Sequence, residues 1–181
     1  MGWAARVKPR RSIYLGTPMY GGTCSAHYVQ SLIELVYLCE RQRIPLSIDF
    51  LINESLITRA RNVIVDRFLQ SDCSHLMFVD ADIEFQAKDV LTLLELDAPI
   101  LAGPYAKKDL NWASVRDAAK LGLADQDAAR LADYSGSFAF NTEDTQEVRA
   151  DGRLRVRETG TGGMMIQRGV FETLQLSLTN L

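Results

Sequence analysis

Two aspartates one residue apart, Asp80 and Asp82, close a short apolar run, His75-Leu76-Met77-Phe78-Val79. Leu76 to Val79 is too short for a helix and rich in β formers, so it reads as a buried strand. Both acids then fall at its carboxyl end. In open α/β sheets that edge is where ligands bind. With one residue between them the two carboxylates can converge on a single hard cation. Oxygen donors suit Mg2+ or Mn2+, ions that complete their shell with water and substrate phosphates. The alternative is a solvated turn, because Asp is common where strands end.

The elements that must position these acids follow from the flanking pattern. Ser12 to Gly16 reads as a first strand, and Thr17-Pro18-Met19-Tyr20-Gly21-Gly22 as a loop held out of regular structure by Pro and paired Gly. Thr23 or Ser25 caps a helix to about Arg43, and Val29, Leu32, Ile33, Val36 and Cys39 at helical spacing predict its buried face. Leu46 to Ile52 is a second strand, and Leu56 to Ser71 a second helix with Ile57, Ala60, Ile64 and Phe68 on one face. After the two acids come a helix at Ala87 to Leu96 and a strand at Ile100 to Gly103. Strand and helix alternate three times, which implies a parallel sheet with helices on both faces. The second half reads differently. It has an Ala-rich helix from Ala118 to Leu131, a short strand at Ser137 to Phe140, and a hairpin turning at Ala150-Asp151-Gly152. A Gly-rich loop at Thr159 to Gly163, a buried strand at Met164 to Ile166 and a helix from Gly169 follow. The expectation is an α/β fold, one domain with a parallel amino-terminal half and a mixed carboxyl-terminal half.

Composition narrows the partners. The chain has 181 residues, 47% apolar and 24% charged, with a net charge of -3. That is enough for a real core and leaves no basic footprint for nucleic acid. The dense basic stretch Arg6 to Arg11 lies in what is expected to be a flexible tail, 1–11. No apolar run approaches a membrane span, and no signal-peptide core precedes the first strand. Cys24, Cys39 and Cys73 have neither zinc spacing nor a disulfide framework, so a reducing, cytoplasmic compartment is the simplest expectation.

Four stretches in order, Thr17-Pro18-Met19-Tyr20, Thr58-Arg59-Ala60-Arg61-Asn62, Phe78-Val79-Asp80-Ala81-Asp82 and Gly103-Pro104-Tyr105-Ala106-Lys107-Lys108, together resemble a nucleotide-sugar glycosyltransferase of the GT-A fold. The resemblance spans Ile13 to Phe171. It implies a nucleoside-diphosphate sugar donor, a saccharide or glycan acceptor and a Mn2+ or Mg2+ cofactor. It further implies a nucleotide-binding half at 12–103 and an acceptor and donor-sugar half at 104–181. Asp80 would lie near the ribose and the metal, with Ala81 beside it, and Asp82 would bind the metal. The loop Thr17, Pro18, Met19, Tyr20 would hold base and ribose, with Tyr20 stacking on the base. Gly162 and Gly163 would border the donor sugar, and Lys107 would line the donor or acceptor side.

Other residues are read on their own chemistry. Arg59 and Asn62 share a helix face off the apolar stripe, where the planar fork of Arg59 can clamp a phosphate; Arg61 reads as solvated. Trp112 is either a sugar platform or a core residue. The only histidines, His27 and His75, precede the acids, whereas many relatives supply a later one as a metal ligand. Asp144 and Glu158 are the candidate bases for an inverting reaction. Relatives often carry a longer acceptor part, so the chain is expected to be one domain of a larger protein. Two other readings compete: a sugar nucleotidyltransferase, disfavoured because Thr17 to Gly22 carries no cation, and a catalytically silent nucleotide-sugar-binding domain.

Overall fold

The computed structural model describes residues 11–105, 109–142 and 148–178. The chain divides into two compact units, Met1–Gly103 with Thr161–Leu181, and Pro104–Gly160. Residues 161–178 therefore cluster with 11–103, whereas the sequence division had grouped them with 104–160.

The first unit is α/β, built on a mixed five-stranded sheet. Its strands are β1 (Ile13–Met19), β2 (Leu46–Ile52), β3 (His75–Val79), β4 (Ile100–Ala102) and β5 (Gly163–Gln167), in the order β2-β1-β3-β5-β4. β1 pairs parallel with both β2 and β3, as strand–helix alternation requires. β5 inserts antiparallel between β3 and β4, with Val79 opposite Gly163. α1 (Ala26–Gln42) and α3 (Ala87–Leu96) cover one face, and α2 (Ile57–Gln70) and α4 (Arg168–Leu178) the other. The strand period of two sorts the core between the faces. Ile13, Leu15, Met77 and Val79 pack toward α1 and α3, while Tyr14, Leu76 and Phe78 pack toward α2. Each fully buried Leu, Ile or Phe contributes about 1.5–3 kcal/mol.

α2 buries Ala60, Ile64 and Phe68, the stripe its spacing predicts, although Ile57 at its start is exposed. α1 buries only part of the expected stripe: Cys39 is in the core and Leu32 packs against it. Its buried residues are Tyr28, Ser31, Leu35 and Cys39, whereas Val29, Ile33 and Val36 are exposed. The helix carries apolar residues on two adjacent stripes, and the buried one contains polar members with partners. Ser31 Oγ accepts from Phe85 N at 3.0 Å, and the Tyr28 hydroxyl lies 2.6 Å from Thr17 Oγ1. β1 also runs further than the sequence predicts, through Thr17, Pro18 and Met19, because β2 pairs with it as far as Met19 opposite Ile52. Proline is tolerated because pairing with β3 stops at Gly16, leaving Pro18 with one neighbouring strand, as at a sheet edge.

Two clusters fix the end of the sheet away from Asp80. His75 is buried, with Nδ1 2.8 Å from Ser74 Oγ and Nε2 3.4 Å from Asp97 Oδ1. Asp97 also accepts from Arg11 at 3.0 Å and Gln167 at 2.8 Å, so Arg11, assigned above to the tail, is tied down. Arg168 donates to the carbonyls of Phe68, Leu69, Ser71 and Cys73 at 2.7–3.2 Å and stacks over the Phe68 ring at 4.5 Å. It thereby satisfies carbonyls that the end of α2 leaves without helical partners.

In the second unit, Asn111 caps a helix at Trp112–Lys120 by accepting from Ser114 N at 3.1 Å. The continuous helix expected over 118–131 is absent. A separate 3-10 segment at Ala128–Tyr134 starts where Asp127 accepts from Ala129 N. The predicted hairpin is present: Val148 bridges Leu154, and Arg149 N donates to Arg153 O at 2.8 Å. Phe140–Thr142 pairs antiparallel with Val156–Thr159. Among the described residues no helix is long and apolar enough to cross a membrane.

Candidate functional site

β1, β2 and β3 point their carboxyl ends at one cavity of about 470 Å³. Pro18 and Tyr20 line it from the end of β1, and Thr23, Cys24 and Ser25 from the start of α1. Glu54, Ser55 and Ile57 line it from the start of α2, and Asp80, Ala81 and Asp82 from the turn after β3. Two long helices thus present their amino-terminal ends here. Ser25 caps α1 by accepting from Tyr28 N at 3.0 Å, while the N-cap position of α2 is Leu56, which offers no side-chain cap and whose own N donates to Glu54 Oε1 at 3.1 Å. Unpaired N–H groups at such ends favour anions.

The acid-bearing turn is held on three sides. Asp80 N donates to Gly162 O at 3.2 Å, and Ile83 N returns to Asp80 O at 3.1 Å. Ser25 N donates to Ala81 O at 2.9 Å, joining the turn to the α1 cap. Arg61 Nη2 donates to Asp80 Oδ1 at 2.8 Å, and its guanidinium lies over the Phe78 ring at 5.8 Å. Gly16 lets α2 come close enough for this: any β-carbon there would collide with Ile64.

No protein-family model matches the chain, and no curated protein matches it as a relative.

The residues singled out from sequence separate into groups. Pro18, Tyr20, Asp80, Ala81 and Asp82 share the cavity, and Tyr20 is 74% exposed within it. Gly162 backs onto Asp80, and Gly163 pairs with Val79 and accepts from Gly103 N at 2.9 Å. Thr17 and Met19 alternate inward instead. Thr17 is buried on Tyr28, whose phenol is pushed up by burial and so stays protonated, and Met19 is in the core. Arg59 is exposed and pairs with Glu54 at 3.5 Å, and Asn62 is exposed. Arg61, read from sequence as solvated, is the arginine that reaches Asp80; its side chain is 20% exposed. The missed signal is the position of Arg61, one residue past the buried Ala60 on the side of the helix that overhangs β3. Glu158 belongs to the second unit, where it accepts from Asn141 Nδ2 at 2.8 Å; Trp112 is also there, exposed. Lys107 and Asp144 lie outside the described residues.

As a cation site, Asp80 and Asp82 supply two carboxylates lining one cavity. Among the described residues no group of three His, Cys, Asp or Glu side chains is arranged to hold a metal. This donor set fits a hard ion that takes one or two carboxylates and draws its remaining oxygens from water and substrate phosphate, and it does not fit a zinc-type cage.

Proposed function

We propose that the chain is a glycosyltransferase of GT-A type, moving a sugar from a nucleoside diphosphate to a saccharide acceptor with Mn2+ or Mg2+. One observation carries this: Asp80 and Asp82 line the same cavity as the amino-terminal ends of α1 and α2. Carboxylates for a cation and helix ends for an anion, side by side, suit a metal diphosphate better than either ligand alone. Asp80 and Asp82 would hold the cation. When bound, it would supply a Lewis acid that steadies charge on the departing diphosphate. Pro18 and the exposed ring of Tyr20 offer an apolar surface for base or ribose. Gly162 packs directly against Asp80, with no space for a β-carbon between them, and so backs the carboxylate on the side away from Arg61.

The test is thermal stability with nucleoside diphosphates and nucleotide sugars, in Mn2+ and in chelator. A ligand at a hundred times its Kd raises stability by about 2.7 kcal/mol. Diphosphate and Mn2+ are expected to stabilise together more than the sum of each alone. Equal shifts in chelator and in metal would overturn the metal-bridging reading. Joint binding with neither transfer nor donor hydrolysis would favour a silent nucleotide-sugar-binding domain.

A further inference from the structure

The Arg61–Asp80 pair deepens that reading. Arg61 approaches Asp80 from α2, and the 2.8 Å contact uses one carboxylate oxygen, Oδ1. The guanidinium is not fully satisfied: Nε is buried and has no hydrogen-bond partner. A buried N–H without an acceptor is disfavoured, so this arrangement is one that Arg61 has reason to leave. The second oxygen of Asp80, Oδ2, faces Gly162, where even a β-carbon would intrude. Asp80 is therefore held by a positive charge on one side and backbone on the other.

We infer that Arg61 is a positioning residue that acts as a tethered counter-cation, competing with the divalent ion for Asp80 until a diphosphate draws the guanidinium away. Two cations on one carboxylate repel each other, and only a ligand with its own negative charges lets both stay in the site. An arginine suits the exchange because its planar fork fits a phosphate as well as a carboxylate. The consequence is an order of events. Metal alone binds weakly, and metal with diphosphate binds well, because the same group that excludes the first helps to hold the second. A structural role for Arg61 makes the opposite prediction: without its arginine, Asp80 would wander and metal binding would weaken.

The experiment measures Mn2+ binding from the loss of the free-ion paramagnetic resonance signal, without substrate and then with uridine or guanosine diphosphate. The proteins are wild type, Arg61→Gln and Arg61→Met; the methionine keeps an apolar stem against Phe78 should the glutamine fail to fold. Without nucleotide, either folded variant is expected to bind Mn2+ about tenfold more tightly than wild type, the scale of one lost charged hydrogen bond. With diphosphate present the advantage should vanish or reverse. Mn2+ affinity that is unchanged or weaker in the variants, with wild type binding normally, overturns this inference and leaves the metal reading intact. If no protein binds Mn2+ under either condition, the metal reading falls and this inference with it.

Discussion

A β-carbon on Gly162 would lie 2.7 Å from Oδ2 of Asp80 and equally close to Ile83 Cδ1. The strand that returns antiparallel to fill the sheet therefore begins against the acid that ends the central parallel strand. Gly162→Ala should displace the Asp80 turn while the sheet persists. The expected penalty is about 1–3 kcal/mol, the range for forcing a methyl into a packed site. Diphosphate affinity should fall with it. Gly169→Ala is the control, since nothing lies within 4 Å of its would-be β-carbon and the position is helical. Urea denaturation of both should show loss for the first and none for the second.

Much of this was readable from residue order because local signals agreed with the tertiary outcome. The β1-α1-β2-α2-β3 alternation, the Ser25 cap and the stripe Ala60, Ile64, Phe68 all state their structure locally. Ambiguity arose where two solutions were locally equal. α1 has apolar residues on two adjacent stripes, and what selects Tyr28, Ser31, Leu35 and Cys39 is a pair of hydrogen bonds to distant residues, Thr17 and Phe85. The same holds in the site. Arg59 and Arg61 are equivalent by type, and only the packing of α2 over Gly16 decides which reaches Asp80. The position of β5 between β3 and β4 also depends on pairings between residues as distant as His75 and Gln167, or Ile100 and Ile166, which no short pattern encodes.

Arg168 should matter for folding and not for ligands. It gathers four backbone carbonyls behind α2 and stacks on Phe68. Arg168→Ala removes the side-chain donor from four part-buried carbonyls, of which Phe68 O keeps Ser71 N and Ser71 Oγ, and the expected loss is about 2–4 kcal/mol. Arg168→Lys should recover only part, because an ammonium lacks the planar fork that spans several carbonyls. Denaturation midpoints measure both, and unchanged diphosphate affinity in the folded fraction would separate this residue from the site.

His75 gives the fold a pH dependence of known sign. Burial pushes its folded value below 6.5, and the nearby Asp97 carboxylate offsets only part of that. The unfolded chain therefore takes up the proton first as pH falls. Stability that is full above about pH 6.5 should decline as pH drops toward the lower folded value, then level off. Asp97 works in a more acidic window. Burial pushes its carboxyl up, but hydrogen bonds from Arg11 and Gln167 and the charge of Arg11 outweigh this and hold it below 3.8. Its contribution is lost only at more acidic pH. Chemical denaturation between pH 7.5 and 5.0 should show a decline in wild type and a flatter profile in His75→Gln.

Asp82 offers the sharpest separation between a strand that merely ends in acids and one that ends in a ligand site. The residue is exposed at the cavity, so a charge-neutral replacement of the same shape is tolerable to the fold. Surface substitutions of that kind usually shift stability by no more than about 0.5 kcal/mol. Asp82→Asn should accordingly melt within a degree or two, roughly, of wild type in chelator. If Asp82 ligates the cation, sugar transfer and donor hydrolysis should both fall by at least about a hundredfold, because the leaving diphosphate loses its Lewis acid. The extra stabilisation from Mn2+ with diphosphate should vanish in parallel, a reading that needs no turnover. Asp89→Asn, in the first turn of α3, removes the same charge at an exposed site outside the cavity. It should cost at most about 1 kcal/mol through the helix dipole and leave binding untouched. Full turnover by Asp82→Asn with a verified donor would remove the main physical support for the proposed reaction.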